Sequence, residues 1–367
     1  GVIVQARGGR FETAAEIRMF AQWGGHVVTM NVGTEIAYAR MLGMNYACLI
    51  NISNPAEGVA PWDFAEMPPL YRRINPLSVD IVLADGRLLH LGHRTVKGVT
   101  GLDLTSLVIG SEGILGVVVG ATLKLRRLVP GEVCTIAATF TDVGTAASAC
   151  SAVTATGLQP AIMELLDAAA LTAIHELLGL AAPTPGAAHV TIQTDGAAAA
   201  ADAAAITAVL EAAGGTVAVS TDRDEGERLL AIRRSVHPAM ARLGTTLIED
   251  VSVPRSALAA MFARIADIER RYGLVIPTVA HAGDGNLHPN FIFDGPDVPA
   301  AIWEAADELF RAALELGGTL TGEHGIGVLK RRWLADELGD DQWELQRQIA
   351  RVFDPQGILN PGKVFGP

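Results

Sequence analysis

Cysteine is scarce in this chain of 367 residues: Cys48, Cys134 and Cys150 are the only three, and no two stand in a CxxC pair. A disulfide-stapled scaffold and a zinc ribbon are thereby excluded. Basic residues are outnumbered, 28 Lys and Arg against 40 Asp and Glu, giving a formal net charge of −12. No extended basic stretch supplies the electrostatic footprint that nucleic acid or an anionic membrane demands, so neither is an expected partner. Long apolar runs are also lacking. The mean hydropathy of +0.31 comes largely from alanine, and the most apolar window, residues 102–123, is interrupted by Asp103, Glu112 and several glycines, so no transmembrane segment is expected. No charged segment leads the first residues into an apolar run; neither a secretion signal nor an oxidising compartment is expected, and a cytoplasmic setting is.

A chain this long is expected to form two or three domains, because single cores rarely grow beyond ~250 residues. Residues 1–78 alternate strand and helix patterns, the sign of α/β layering. Residues 54–76 hold Pro55, Pro61, Pro68, Pro69 and Pro76 with little periodicity, which marks a linker. From Val79 the pattern turns to strands, with a hairpin signal at Ala84-Asp85-Gly86-Arg87. Residues 132–220 then show two βαβ-like units in series. A ferredoxin-like antiparallel sheet covered by helices is expected there, with helices packed on one face of the sheet over about 132–353.

Chemistry concentrates in two glycine-rich segments. His281-Ala282-Gly283-Asp284-Gly285-Asn286-Leu287-His288-Pro289-Asn290 sets two histidines around a tight turn between predicted strands, which brings both imidazoles to one face of a hairpin. Gly322-Glu323-His324-Gly325-Ile326-Gly327 adds an acid and a third histidine on a backbone relaxed by glycine. Two neutral imidazoles from His281 and His288 with the Glu323 carboxylate form a donor set for a divalent metal of the Zn or Mn type. His324, beside them, is the natural general base, because imidazole titrates near neutrality. The alternative is that these histidines only hydrogen-bond strand ends and the glycines only make turns.

With the terminal Phe353-Asp354-Pro355-Gln356-Gly357-Ile358-Leu359-Asn360-Pro361-Gly362-Lys363, these motifs resemble the FAD-linked oxidase family of the glycolate oxidase D subunit, D-lactate dehydrogenase and D-2-hydroxyglutarate dehydrogenase. Thr95–Leu104 and 110–116 resemble the end of that family's flavin domain, so the likeness runs from about residue 80 to 367. It implies an α+β fold: the C-terminal part of an FAD-binding domain over 80–131, a cap domain for substrate and metal over 132–353, and a tail over 354–367 returning to the flavin. It implies His281, His288 and Glu323 as metal ligands, His324 as catalytic base, and Arg233 and Asn290 as substrate-holding residues. Gly101, Ser111, Gly113, Gly116 and Asn360 match flavin-contact positions. The implied reaction is FAD-dependent oxidation of a small 2-hydroxyacid, of the glycolate or D-lactate type, to the 2-oxoacid, with the electron acceptor unspecified.

Residues 1–79 depart from that family. Gly8-Gly9-Arg10-Phe11-Glu12-Thr13-Ala14-Ala15-Glu16-Ile17-Arg18-Met19 and Gly24-Gly25-His26-Val27-Val28-Thr29-Met30 resemble instead the C-terminal part of a purine nucleoside or methylthioadenosine phosphorylase. That likeness implies Phe11 and Glu12 near a purine, Met30 near a ribose and Asn54 near the base. A Gly-rich pyrophosphate loop is missing ahead of Val79, and so is the phosphorylase's phosphate site. Three functions are therefore weighed: a hydroxyacid dehydrogenase impaired by a truncated flavin domain, a nucleoside phosphorylase, and an inactive chimeric metal-binding remnant.

Overall fold

The computed structural model describes residues 3–5, 27–29, 76–95, 97–124 and 131–366. Strands β1 (Ile3–Gln5) and β2 (Val27–Thr29) pair in parallel, Ile3 beside Val27, as two strands of an α/β layer do. Phe11, Glu12, Met30 and Asn54, and the helices expected between 13 and 42, lie outside the described residues. The chain divides into two compact units: residues 1–82, 88–105 and 118–126 form one, and 83–87, 106–117 and 127–367 the other.

In the first unit, β3 (Pro76–Val82) and β4 (Leu88–Gly92) make the antiparallel hairpin signalled by the sequence, with Val79 opposite Leu91. β5 (Val117–Leu123) completes a three-stranded sheet in the order β4-β3-β5.

The second unit is built on an eight-stranded sheet in the order β10-β13-β12-β7-β8-β6-β9, with β11 added along β13. Its strands are β6 (Glu132–Phe140), β7 (Ile162–Leu166), β8 (Ala188–Gly196), β9 (Thr216–Ser220), β10 (Thr245–Ile248), β11 (Val251–Ser252), β12 (Thr278–His281) and β13 (Asn286–Phe293). The pairings within it are antiparallel. Aspartates start three of its helices by accepting a backbone N–H of the first turn: Asp142 from Thr145 at 2.8 Å, Asp167 from Ala170 at 2.8 Å, and Asp222 from Glu225 at 2.9 Å. In helix Leu258–Tyr272 the buried positions Leu258, Met261, Phe262, Ile265 and Ile268 follow the 3.6-residue period.

Helices cover both faces of this sheet, not one. On the first face Ile136, Leu165, Val190, Ala280 and Phe291 pack with Cys150, Ile206, Phe262 and Phe310 from four helices. On the second, Leu166 and Val279 pack with Ile174, Val236 and Met240. Both faces of β8 are buried, the polar His189 and Thr191 as fully as Val190 and Ile192, so the alternation of apolar and polar residues did not mark a solvated face. The sequence pattern predicts one helix over 225–242 and one strand over 246–253; the helix is divided at Ser235 into Arg223–Arg234 and Val236–Leu243, and the strand is interrupted at Glu249–Asp250.

The β12–β13 turn depends on Gly285. Its φ is +85°, and a Cβ there would lie 2.1 Å from the carbonyl oxygen of Val253. A side chain cannot be accommodated without moving backbone. Gly285→Ala is expected to destabilise the protein by at least ~2 kcal/mol, seen as a lower midpoint in urea unfolding with the slope unchanged.

Candidate metal centre and base

Strand register brings the predicted residues together. His281 stands directly opposite Glu164 of β7, and His288 stands opposite Val279, two residues along from His281. Since side chains alternate with a period of two, Glu164, His281, His288 and Asn290 project from one face of the sheet, the face covered by the helix that carries Arg233.

Glu164 is 5 % exposed. His281 Nδ1 donates to its carboxylate, 2.7 Å from Oε1 and 2.8 Å from Oε2, and Arg233 Nε donates to Oε2 at 2.9 Å. Burial opposes charge on Glu164, yet the hydrogen bond from His281 and the charge of Arg233 hold its carboxyl down to about 2. An ionised carboxylate only accepts, so Nδ1 of His281 carries a proton and Nε2 is the ring nitrogen that faces Glu323. That Nε2 lies 3.6 Å from Glu323 Oε1, and His288 Nε2 lies 3.0 Å from the same oxygen. Burial, and then the neighbouring His281, lower His288 to about 4, so its imidazole is neutral near pH 7, the form that binds metals.

Ligand atoms of His281, His288 and Glu323 all lie within 4.8 Å of one another. Two neutral imidazoles and a carboxylate fit a divalent ion of the Zn or Mn type, and the carboxylate behind His281 is the usual orienting partner of a ligating histidine. The His281 and His288 rings meet edge to face at 5.2 Å between centroids, and His324 stacks on His288 at 5.1 Å with 23° between planes. His324 is exposed to solvent.

Backbone amides hold the segment that carries Glu323 and His324. Asp250 Oδ2 accepts from the amides of Gly322 at 3.0 Å, Glu323 at 3.1 Å and His324 at 2.9 Å, and from the Thr321 hydroxyl. Burial resists ionisation of Asp250, but these donors and Lys330 hold it at about 2. Lys330 Nζ in turn donates to the carbonyls of Asp250 at 2.5 Å and Leu320 at 2.9 Å. Beyond His324, Glu112 accepts from Ile326 and Gly327, both at 2.7 Å. Gly322 is required by close approach, since a Cβ there would fall 2.3 Å from Asn286 Oδ1.

The remaining expected site residues are placed as follows. Asn290 is buried and its Nδ2 donates to the carbonyls of Pro277 at 2.9 Å and His288 at 2.8 Å, so its nitrogen is committed to the sheet. Asn360 Nδ2 donates to the Glu112 carbonyl at 2.5 Å, and a Cβ at Gly113 would lie 3.6 Å from that nitrogen. Asn360 thus lies against the turn that carries Ser111 and Gly113, while Gly101 belongs to the other unit. Sequence reasoning missed Glu164, Asp250 and Glu112. An acid inside the apolar run Ile162-Met163-Glu164-Leu165-Leu166, and two inside Leu247-Ile248-Glu249-Asp250-Val251, were the available signals for the first two.

Residues 129–364 match the family described as FAD linked oxidases, C-terminal domain. The chain belongs to the FAD-linked oxidase family. Residues 1–73 match the phosphorylase superfamily. Among curated relatives the chain is 38 % identical over 296 residues to the glycolate oxidase subunit GlcD of Bacillus subtilis, an alignment covering 79 % of this chain and 63 % of that protein. It is 33 % identical over 290 residues to a D-lactate dehydrogenase of Archaeoglobus fulgidus, covering 78 % of this chain and 64 % of the relative. The chain thus spans less than two thirds of the length of these relatives. Among solved structures it resembles p-cresol methylhydroxylase with substrate bound, at TM-score 0.59 and 14 % identity, over 80 % of this chain and 65 % of that one. A 4-ethylphenol oxidase from Gulosibacter chungangensis gives TM-score 0.56 at 17 % identity, over 78 % and 65 %. These two likenesses concern the fold. Among the described residues no helix is long and apolar enough to cross a membrane.

Losing the carboxylate that orients a ligating imidazole typically costs 10–100-fold in metal affinity. Glu164→Gln is expected to weaken Zn²⁺ or Mn²⁺ binding by about that factor, measured by isothermal titration, and His288→Ala by more. His175→Ala, a helix residue whose Nδ1 pairs with the Ala181 carbonyl, is expected to leave it unchanged.

Proposed function

We propose that residues 132–353 form the substrate and metal domain of an FAD-dependent oxidation that converts a small 2-hydroxyacid, of the glycolate or D-lactate class, to the 2-oxoacid. The observation that carries this reading is the convergence of His281, His288 and Glu323 within 4.8 Å, with His324 stacked on His288 and open to solvent. Family membership and relatives named glycolate oxidase and D-lactate dehydrogenase support it. The ferredoxin-like reading of its first part rests on the strand order β9-β6-β8-β7.

His281, His288 and Glu323 would hold a Zn- or Mn-type ion, whose charge favours the ionised form of a hydroxyl beside it. FAD, when bound, supplies the two-electron acceptor, and Ser111, Gly113, Gly116 and Asn360 would contact it. Arg233, anchored to Glu164 through Nε, pairs the substrate carboxylate through its terminal guanidinium nitrogens. Asn290 borders the same face and fixes the strand that carries His288. His324, exposed beside His288, takes the hydroxyl proton.

A second reading concerns residues 1–73 alone, which match the phosphorylase superfamily and would direct the chain to purine nucleosides or methylthioadenosine. Phosphorolysis of either by the purified protein would favour it.

His324→Ala is expected to retain bound metal, because Glu323 and not His324 is the ligand. Hydroxyacid-dependent flavin bleaching in the protein supplied with FAD should fall by ~10²–10⁴. Stopped-flow absorbance with glycolate, D-lactate and D-2-hydroxyglutarate, together with metal analysis, checks both parts. Bleaching by none of the three in the unsubstituted, metal- and FAD-loaded protein would remove the assigned substrate class.

A further inference from the structure

Glu112 occupies a place that the hydroxyacid chemistry does not use. It sits between Ser111 and Gly113 in the turn 110–116, with φ at +51°, a conformation that glycine adopts more readily than glutamate. Its side chain leaves that turn and ends on two backbone amides 214 and 215 residues away: Oε1 accepts from Ile326 and Oε2 from Gly327, both at 2.7 Å. Its own carbonyl accepts from Asn360 Nδ2. Gly325 closes against it, since a Cβ at Gly325 would lie 2.9 Å from the Glu112 carboxyl carbon. One residue therefore ties together the turn that holds Ser111 and Gly113, the tail residue Asn360, and the segment that holds Glu323 and His324.

We infer that Glu112 is a positioning residue: its carboxylate fixes the backbone at 326–327 and, through it, the placement of Glu323 and His324 relative to the turn 110–116. The assignment rests on the metal and base reading above. Two carboxylates divide the work. Asp250 accepts from the amides of 322–324, and Glu112 accepts from the next two beyond Gly325. Without Glu112 the amides of Ile326 and Gly327 lose their acceptors, and the segment beyond Gly325, at φ +83°, keeps only the Gly325 amide bond to the Thr321 hydroxyl and backbone bonds at the Ile326 and Gly327 carbonyls. The two oxygens meet two parallel N–H groups in a fork that glutamine reproduces only by half, since its NH₂ group opposes one donor with another.

The test compares the full chain with Glu112→Ala and Glu112→Gln in two measurements. Amide hydrogen exchange by mass spectrometry is read on metal-free protein: segment 325–328 is expected to exchange at least ~10-fold faster in Glu112→Ala, with Glu112→Gln between it and the unsubstituted chain and the sheet strands unchanged. Co²⁺ then serves as the spectroscopic probe. Its visible bands are expected to shift or weaken in Glu112→Ala, and its dissociation constant to rise roughly 3–10-fold, the size of an effect exerted on one ligand at second hand. Unchanged exchange at 325–328 overturns the assignment, and so does faster exchange with an unaltered Co²⁺ spectrum and affinity, which would make Glu112 a local brace and nothing more. A general rise in exchange across the strands in both variants overturns it too. Failure of the unsubstituted chain to bind Co²⁺ sinks the metal reading instead, and the exchange measurement still decides whether Glu112 holds the segment.

Discussion

Everything at the proposed site depends on a carboxylate sunk into the middle of a sheet. An ion at Glu164 would be intolerable in that position without partners, because taking it out of water costs several kcal/mol or more. His281 and Arg233 supply the partners, and in doing so each is oriented: one imidazole turns Nε2 toward Glu323, and one guanidinium is anchored through Nε. Removing Glu164 would free both at once. The same charge that makes the centre of β7 unfavourable as a strand makes it useful as an anchor.

A second constraint acts on the segment 321–327, which belongs to no helix or strand. Irregular backbone leaves amides that neither helix nor sheet satisfies, and buried amides without partners are expensive. Here they are satisfied by side chains, Asp250 for three of them and Glu112 for two more. Both anchors sit far away in sequence, so the segment's shape is set by the rest of the fold and not by its own residues. Lys330, buried beside Asp250, completes the cluster with two bonds to backbone carbonyls.

This division explains what the sequence revealed and what it hid. The hairpin 278–293 was legible because its chemistry is local: a Gly-Asp-Gly-Asn turn flanked by histidines fixes their spacing within a dozen residues. The strands β6 to β9 were legible for the same reason, through the local apolar periodicity of 132–220. Glu164 and Asp250 looked like acids in apolar runs, and nothing within their own neighbourhood names His281 or His324 as partners. That helices cover a second face of the sheet was hidden, because Thr191 and His189 imitate a solvated side while being buried. The division at Ser235 and the interruption at Glu249–Asp250 were likewise hidden, since each follows from tertiary partners and not from local propensity.

The central claim is that three side chains from two separated segments share one divalent ion. X-ray absorption at the metal edge of the Zn²⁺- or Mn²⁺-loaded protein tests it most directly. The account predicts two imidazole nitrogens and carboxylate oxygen in the first shell at ~2.0–2.2 Å, with the multiple-scattering pattern of histidine. A shell of oxygen alone, without imidazole scattering, would contradict it.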